Sequence, residues 1–145
     1  MIRVVVQDTP IDIGFEHAAA EIVDAGAVAT FTGLVRGDDG VTELALEHYP
    51  GATERALEAL CEEARERWSL AAATIVHRVG PMVPGDRVVF VATTARHRGA
   101  ALEACAFLID RLKTGAPFWK RERRGEDARW VEARASDDAA AARWG

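Results

Sequence analysis

Only two lysines, Lys113 and Lys120, occur in this 145-residue chain, and they lie in one short segment. The other 16 basic residues are arginines, so arginine fills the ordinary surface positions for a cation. A lysine ammonium can lose its proton near neutral pH when it is partly desolvated or lies beside other cations, whereas a guanidinium stays protonated. The pair therefore predicts acid, base or nucleophilic chemistry here. The competing explanation is that two lysines lie close together by chance.

A second group of cations is formed by Arg96, His97 and Arg98, which follow a predicted strand and begin a predicted helix. The unpaired amides and the dipole at a helix N-terminus favour negative charge. The group therefore predicts an anion site, with a solvated helix start as the alternative. Arg36 lies in a glycine-containing loop, 30–40, that could also approach an anion. The loop lacks the GxxxxGK[ST] pattern and no helix follows it directly, so it is not a P-loop, and a flexible turn is the alternative.

Other common chemistries lack support in the sequence. His17, His48 and His77 show no metal-ligand spacing, so we predict no metal site. No GxSxG motif is present, which argues against a nucleophilic serine. Cys61 and Cys105 have no CxxC spacing and fall within helical patterns, which predicts buried, reduced thiols in a cytoplasmic protein.

The composition favours a globular enzyme or binding domain that takes a small anion. The chain is 49% apolar with a net charge of −5, and it has no apolar run long enough for a membrane helix. Residues 1–66 carry four basic and fourteen acidic side chains, whereas residues 67–135 carry thirteen and seven. The acidic total argues against general nucleic-acid binding, and the basic second half favours a small anionic ligand.

The hydrophobic periodicity predicts a single α+β domain over residues 1–145, with mostly antiparallel strands and three main helices. A tight turn is predicted at 83–86 and a short final helix from Ser136 to Trp144. The predicted strands are 2–7, 27–35, 43–49, 72–79, 87–95, 118–122 and 129–133, and the main helices are 14–25, 52–68 and 98–114.

The third main helix and the strand after it position the two lysines. The apolar stripe of that helix is predicted as Leu102, Cys105, Ala106, Ile109 and Leu112. The helix is expected to end at a left-handed glycine at position 115, ahead of a proline at position 117, which puts the first lysine in its last turn. In the next strand, alternation puts residues 118 and 120 on one face and residues 119 and 121 on the other.

The segment from Leu112 to Glu122 closely resembles the large, catalytic subunit of molybdopterin synthase, the MoaE family. Further matches occur in the family's order along nearly the whole chain. They are 31–36 (FTGLVR), 46–51 (LEHYPG), 77–80 (HRVG), 84–86 (PGD), Ala95 with His97-Arg98, and 129–134 (RWVEAR).

The resemblance implies an α/β-hammerhead-type fold and a central homodimer with a small ubiquitin-like subunit at each end, a heterotetramer. In that family the small subunit carries a C-terminal Gly-Gly thiocarboxylate. Its sulfur passes to cyclic pyranopterin monophosphate and forms the dithiolene of molybdopterin. The step needs no metal or redox cofactor.

The resemblance also implies which residues line the pocket. Lys113 and Lys120 would be the catalytic acid and base groups, and Lys113 is expected to be the more essential. Some members carry a basic residue where this chain has Leu34, so the resemblance implies a backbone contact at that position and not the side-chain contact of those members. The substrate-binding positions are Leu34, Val35, Arg36, His97, Arg98, Arg121 and Glu122.

Two functions of other classes compete with this one. Trp119 and its basic neighbours could bind RNA or an acidic partner without catalysis. A catalytically inactive scaffold for the small subunit is the other alternative, against which the intact lysine pair argues.

Overall fold

The computed structural model describes residues 1–131 and 135–144, over which the chain forms eight strands and four α-helices. The predicted α+β class is confirmed. The predicted 129–133 strand lies partly outside the described residues. The elements are β1 (Ile2–Gln7), α1 (Ile13–Ala20), β2 (Ala27–Leu34), β3 (Glu43–His48), α2 (Ala52–Trp68), β4 (Ala72–Arg78), β5 (Gly80–Met82), β6 (Arg87–Ala95), α3 (Arg98–Gly115), β7 (Phe118–Arg124), β8 (Asp127–Val131) and α4 (Ala135–Ala142).

The first sheet has the strand order β1-β4-β6-β2. β1 and β4 pair in parallel, and the other two pairings are antiparallel, as the sequence predicts. Helices α2 and α3 cover one face of this sheet, and α1 packs against β4 and β6 on the other. Because α3 follows β6 and packs back on the sheet, its last turn lies near the start of β6.

The second sheet has the order β5-β3-β7-β8, and all its pairings are antiparallel. A cluster of buried apolar residues joins it to the first sheet: Val35, Leu46, Val79 and Met82. Val79 links β4 to β5, a short strand that the sequence did not predict. Gly80 has a positive φ of 84°, which ends β4 and turns the chain onto β3.

The core face of α3 matches the predicted stripe only in part: Cys105 and Leu112 are buried, and Ala106 and Ile109 are half-buried. Leu102 is 62% exposed, so its assignment to the core is wrong. The buried positions recur at three- and four-residue steps and are Ala101, Ala104, Cys105, Phe107, Leu108 and Leu112. Position 102 lies one residue, about 100° of helix rotation, away from this face. Small alanines therefore form the first part of the contact with the sheet.

The end of α3 also differs in detail from the prediction. Gly115 is the last residue of the helix and has no positive φ, so the expected left-handed cap is wrong. The capping residue is Ala116, whose φ and ψ of −105° and 139° are extended. Pro117 disfavours helical backbone in the residue before it, and this forces the extended geometry. Lys113 lies in the last turn, as predicted.

The chain after β8 packs against α3. Trp144 donates a hydrogen bond from Nε1 to Asp110 Oδ2 at 2.6 Å, and its ring contacts Trp68 and Phe107. Across residues 1–131 and 135–144, no helix combines the length and the apolar character needed to cross a membrane.

Candidate active site

The two lysines come from different elements that meet at the junction of the two sheets. Lys113 is exposed in the last turn of α3, and Lys120 is exposed in β7. In the register of β3 with β7, Lys120 lies opposite Leu46 and Phe118 lies opposite His48. Cross-strand partners share a face, so these four residues lie on one side of the second sheet. This confirms the predicted alternation along β7.

His77 forms the buried floor of this region. It is 5% exposed near the end of β4, and its ring stacks on Phe118 with centroids 4.1 Å apart and planes at 26°. Burial lowers the pKa of His77 to about 4, against the effect of the hydrogen bond to the Arg78 carbonyl. The charges of Lys113 and Lys120, and then His48, lower this pKa further.

The stacking of Phe118 on His77 brings the strand of Lys120 and the paired His48 to this imidazole, and the charge of Lys113 also lowers its pKa. The cluster of Lys113, Lys120, His48, His77 and Phe118 is called the lysine site below. In the sequence, His77 is noted only as a histidine without metal-ligand spacing and as the first residue of the 77–80 match. Within the described ranges, no three His, Cys, Asp or Glu side chains are grouped to hold a metal ion.

The segment between the lysines is tied to the start of α2 by Thr53. This hydroxyl is fully buried; it accepts from the Tyr49 N–H at 3.0 Å and donates to the Pro117 carbonyl at 3.2 Å. The second bond joins residues 64 positions apart in the chain. Thr53 therefore fixes the connection between α3 and β7, on which the spacing of the two lysines depends.

The loop after β2 reaches the same end of the first sheet. Leu34 pairs with Arg87 at the start of β6, and the buried Val35 packs in the cluster that also contacts Phe118. The Val35 N–H donates to the Asp86 carbonyl and its own carbonyl accepts from Gly85, both at 2.8 Å. The Val35 backbone is therefore fixed on both sides. The side chains of its neighbours, Leu34 and Arg36, are exposed to solvent.

Arg36 is held only loosely within the described structure. Its Nε lies 3.5 Å from Asp38 Oδ2, and both side chains are more than 60% exposed. An exposed ion pair of this kind contributes little to stability. The guanidinium can therefore leave Asp38 and meet an anion at the same end of the sheet.

His97 and Arg98 lie at the opposite end of α3. Lys113 follows Arg98 by fifteen residues, which at about 1.5 Å per residue separates their backbones by about 22 Å along the helix. The strand pairing gives the same separation. Ala95, just before His97, pairs with Ala27 at one end of β2, whereas Leu34 lies at the other end. One copy of the chain thus does not bring His97 and Arg98 to the lysine site.

The two remaining predicted positions, Arg121 and Glu122, lie on opposite faces of β7. Glu122 lies on the face of Lys120, and its Oε2 is 3.3 Å from Arg124 Nη2. Arg121 lies on the other face, in register with Trp130, and Trp119 on that face packs edge-on against Tyr49. This outer face carries the aromatic and basic side chains that could bind an RNA or an acidic partner.

The two cysteines take no part in the site. Both are buried and unpaired in the core. Burial raises the pKa of Cys61 to about 12 and that of Cys105 to about 11. Both groups therefore remain thiols at neutral pH, which makes them weak nucleophiles.

Similarity to known proteins covers almost the whole chain. A family model described as MoaE protein matches residues 6–115. The chain belongs to the MoaE family. A relative named molybdopterin synthase catalytic subunit, from Escherichia coli strain K12, is 52% identical over 98% of this chain and 97% of its own length.

Two solved structures support the same family and the fold. Molybdopterin cofactor biosynthesis protein E from Burkholderia multivorans matches with a TM-score of 0.87 and 51% identity, over 100% of this chain and 97% of its own. Molybdopterin synthase from Staphylococcus aureus matches with a TM-score of 0.82 and 32% identity, over 90% of this chain and 96% of its own. Family membership thus extends beyond the match to residues 6–115 and includes the strand that carries the second lysine.

Proposed function

We propose that this chain is the catalytic subunit of a molybdopterin synthase. It transfers sulfur from the C-terminal thiocarboxylate of a small ubiquitin-like subunit to cyclic pyranopterin monophosphate, forming the dithiolene of molybdopterin. The observation that carries the proposal is the pair of lysines, Lys113 in the last turn of α3 and Lys120 in β7, in a chain of the MoaE family. The names of the relatives about half identical to it support the same reaction.

The lysine site suits this transfer because both the thiocarboxylate and the cyclic phosphate are anions. Each of the two sulfurs is transferred in the same way: sulfur bonds to a carbon of the pterin side chain, the carbon–oxygen bond at that carbon breaks, and the oxygen leaves as water or stays on the phosphate. The bond between sulfur and the acyl carbon is then hydrolysed, so water supplies the oxygen of the carboxylate left on the tail. Cations aimed at the acyl carbon stabilise the negative charge that develops there. Lys113 and Lys120 supply this charge and move the protons.

The loop after β2 supplies the substrate-binding contacts at the same end. Arg36 meets the phosphate and Leu34 contributes its backbone, while the buried Val35 anchors the loop in the cluster that also contacts Phe118. Glu122 and Arg121 continue the site along β7. Arg121 lies on the face of the second sheet that does not carry Lys120. Its contact is therefore with a partner that covers this face.

His97 and Arg98 join a lysine site of a second copy. The separation of about 22 Å along α3 keeps them from the lysines of their own chain. A homodimer with two equivalent composite pockets satisfies both positions, and a small subunit at each end completes a heterotetramer.

The reaction is expected in the cytoplasm and to need no metal or redox cofactor. Residues 1–145 act in it as one domain. The buried, unpaired cysteines support the compartment, because thiols persist where the medium is reducing.

The decisive experiment measures conversion of cyclic pyranopterin monophosphate to the dithiolene product with a thiocarboxylated small subunit. Lys113→Arg and Lys120→Arg keep the charge and remove the transferable proton. Each is expected to bind the small subunit and to lose turnover by about a hundredfold, the scale of general acid-base catalysis.

Arg111→Lys is the matched control. Arg111 lies on α3 two residues before Lys113 and pairs with Glu63 at 3.1 Å on the surface. This conservative exchange is expected to keep full turnover. An inactive wild type with a competent small subunit would contradict the proposed function, and fully active lysine variants would contradict the assigned roles.

A further inference from the structure

The turn over residues 83–86, which joins β5 to β6, holds the residue before Arg36. The Val35 N–H donates to the Asp86 carbonyl, and the Gly85 N–H donates to the Val35 carbonyl, both at 2.8 Å. The Val35 side chain is buried as well. The backbone is therefore fixed at the point where Arg36 begins.

The same turn packs against the residue after Arg36. A methyl group on Gly37 would lie 3.2 Å from the Pro84 Cβ and 3.3 Å from its Cγ, which is closer than most such contacts in proteins. Gly37 has an ordinary φ of −99°, so the contact, and not the backbone conformation, favours glycine here. Arg36 thus lies between two contacts with one turn.

The Asp86 side chain closes this turn. Its Oδ2 accepts from the Val83 N–H at 2.9 Å, while the Asp86 N–H donates to the Val83 carbonyl at 3.0 Å. Gly85 supplies the positive φ, 94°, that a type II turn needs at its third position. The same carboxylate oxygen lies 3.6 Å from Nη1 of Arg78, whose side chain is mostly buried.

The Arg36 side chain itself is not held in this way. It is 61% exposed, and the carboxylate of Asp38 beside it is exposed too. An anion that binds the guanidinium must order the side chain, and a mobile loop would add its own ordering cost to each binding event. A backbone that is fixed on both sides removes the second cost and leaves the guanidinium able to turn toward the anion.

We propose that Asp86 is a positioning residue for Arg36: its carboxylate closes the 83–86 turn, and the closed turn holds the backbone on both sides of the arginine that meets the anionic substrate. This inference rests on the proposed function, in which Arg36 meets the phosphate. The ordering cost is the same for the bound substrate and for the transition state. Asp86 therefore acts on substrate binding more than on the chemical step.

Two substitutions separate the hydrogen bond of Asp86 from its charge. Asp86→Asn keeps an oxygen that can accept from the Val83 N–H, and Asp86→Ala keeps none. Both variants remove the negative charge beside Arg78. A difference between the two variants therefore reports the hydrogen bond and not the ion pair.

Hydrogen exchange followed by NMR measures the closure of the turn without substrate. Asp86→Ala is expected to speed exchange of the Val35 amide about tenfold or more, and Asp86→Asn less than about threefold, while the amides of β4 stay protected. An unchanged Val35 amide in Asp86→Ala would overturn the proposal. Equal acceleration in the two variants would also overturn it, because the hydrogen bond would then have no role.

The kinetic test separates binding from chemistry. Asp86→Ala is expected to raise KM for cyclic pyranopterin monophosphate about tenfold and to change kcat less than about threefold, whereas Asp86→Asn stays close to wild type. A fall in kcat at unchanged KM would overturn the positioning role, since a displaced loop weakens binding first.

Gly37→Ala tests the second contact and leaves Asp86 in place. The added methyl group forces Pro84 or the loop to move by a few tenths of an ångström, so KM is expected to rise here too. Gly14→Ala is the matched control, because its methyl group lies at an ordinary 3.6 Å from Asp12 Oδ1 in a distant part of the chain. Equal KM values in the two glycine variants would overturn the role of the contact with Pro84.

Exchange and turnover together distinguish this inference from the proposed function. The expected exchange pattern in a chain without transferase activity would refute the proposed function alone. The same pattern in an active chain, with an unchanged KM in Asp86→Ala, would refute the positioning role alone.

Discussion

At the scale of single residues, the buried imidazole of His77 makes the stability of the fold sensitive to mild acid. Its pKa is lowered to about 4 in the native state, whereas an unfolded histidine titrates near 6.5. The unfolded chain therefore takes up a proton first as the pH falls. The native state loses stability between about pH 6.5 and 4, by about 3 kcal/mol in total at this site.

His77→Phe is expected to remove that slope. Free energies of unfolding from urea titrations at several pH values between 7.5 and 4.5 measure it in both chains. All other groups are shared, so their contributions cancel in the difference between wild type and variant. The lost bond to Arg78 adds an offset that does not vary with pH. An identical acid dependence in the two chains would show that the native fold does not lower the pKa of His77.

Composition was enough to single out the lysines, but it could not identify their neighbour. Sixteen arginines against two lysines is a contrast that needs no structure. His77, by contrast, lies 36 residues before Lys113 and is separated from it by β5, β6 and most of α3, and no local pattern links the two. Only the tertiary fold stacks Phe118 of β7 on His77, where the charges of both lysines lower the pKa of the imidazole.

At the scale of secondary-structure elements, the connection between α3 and β7 depends on one hydroxyl. Thr53→Val keeps the side-chain volume and removes the bonds to Tyr49 and Pro117. It leaves buried or half-buried backbone groups without partners, which should cost about 1–3 kcal/mol in the free energy of unfolding. Turnover should also fall, because the spacing of Lys113 and Lys120 is no longer fixed.

Thr53→Ser is the matched control, since it retains the hydroxyl. Urea unfolding and the sulfur-transfer rate are measured for both variants. The serine variant is expected to keep most of the stability and turnover that the valine variant loses. Equal losses in the two variants would assign the role of Thr53 to its methyl group and not to its hydrogen bonds.

The helices and most strands could be predicted from the local hydrophobic pattern. The residues at which they end could not always be predicted from it. α2 occupies 52–68 as its apolar period predicts. α1 ends at Ala20 instead of 25, because the chain turns so that the Gly26 N–H can donate to the Ala95 carbonyl. That bond is a tertiary contact between residues 69 positions apart, and the local pattern carries no information about it.

At the scale of the whole molecule, α3 separates two cationic groups that the family resemblance assigns to one pocket. His97 and Arg98 lie at its start and Lys113 in its last turn. The sequence could predict both groups and the helix between them. It left open whether they meet in one chain, and the length and direction of α3 along the sheet argue that they do not.

Mixed dimers test this arrangement. Lys113→Arg and Arg98→Ala are each expected to abolish most activity alone. In a mixed dimer, one pocket contains both substituted residues. The other pocket contains the native Lys113 of one copy and the native Arg98 of the other. Random mixing gives half mixed dimers, so about a quarter of wild-type activity should return.

Pockets built within one chain give the opposite result, since every pocket of the mixture then carries one defect and no activity returns. Two affinity tags allow the mixed dimers to be isolated, and their turnover should be about half that of wild type because one of two symmetric pockets is intact. A failure to recover doubly tagged dimers would refute the homodimer itself. Restored turnover would place the phosphate-binding cations and the proton-transferring lysines of each pocket on opposite copies, so that the chain is active only as an assembly.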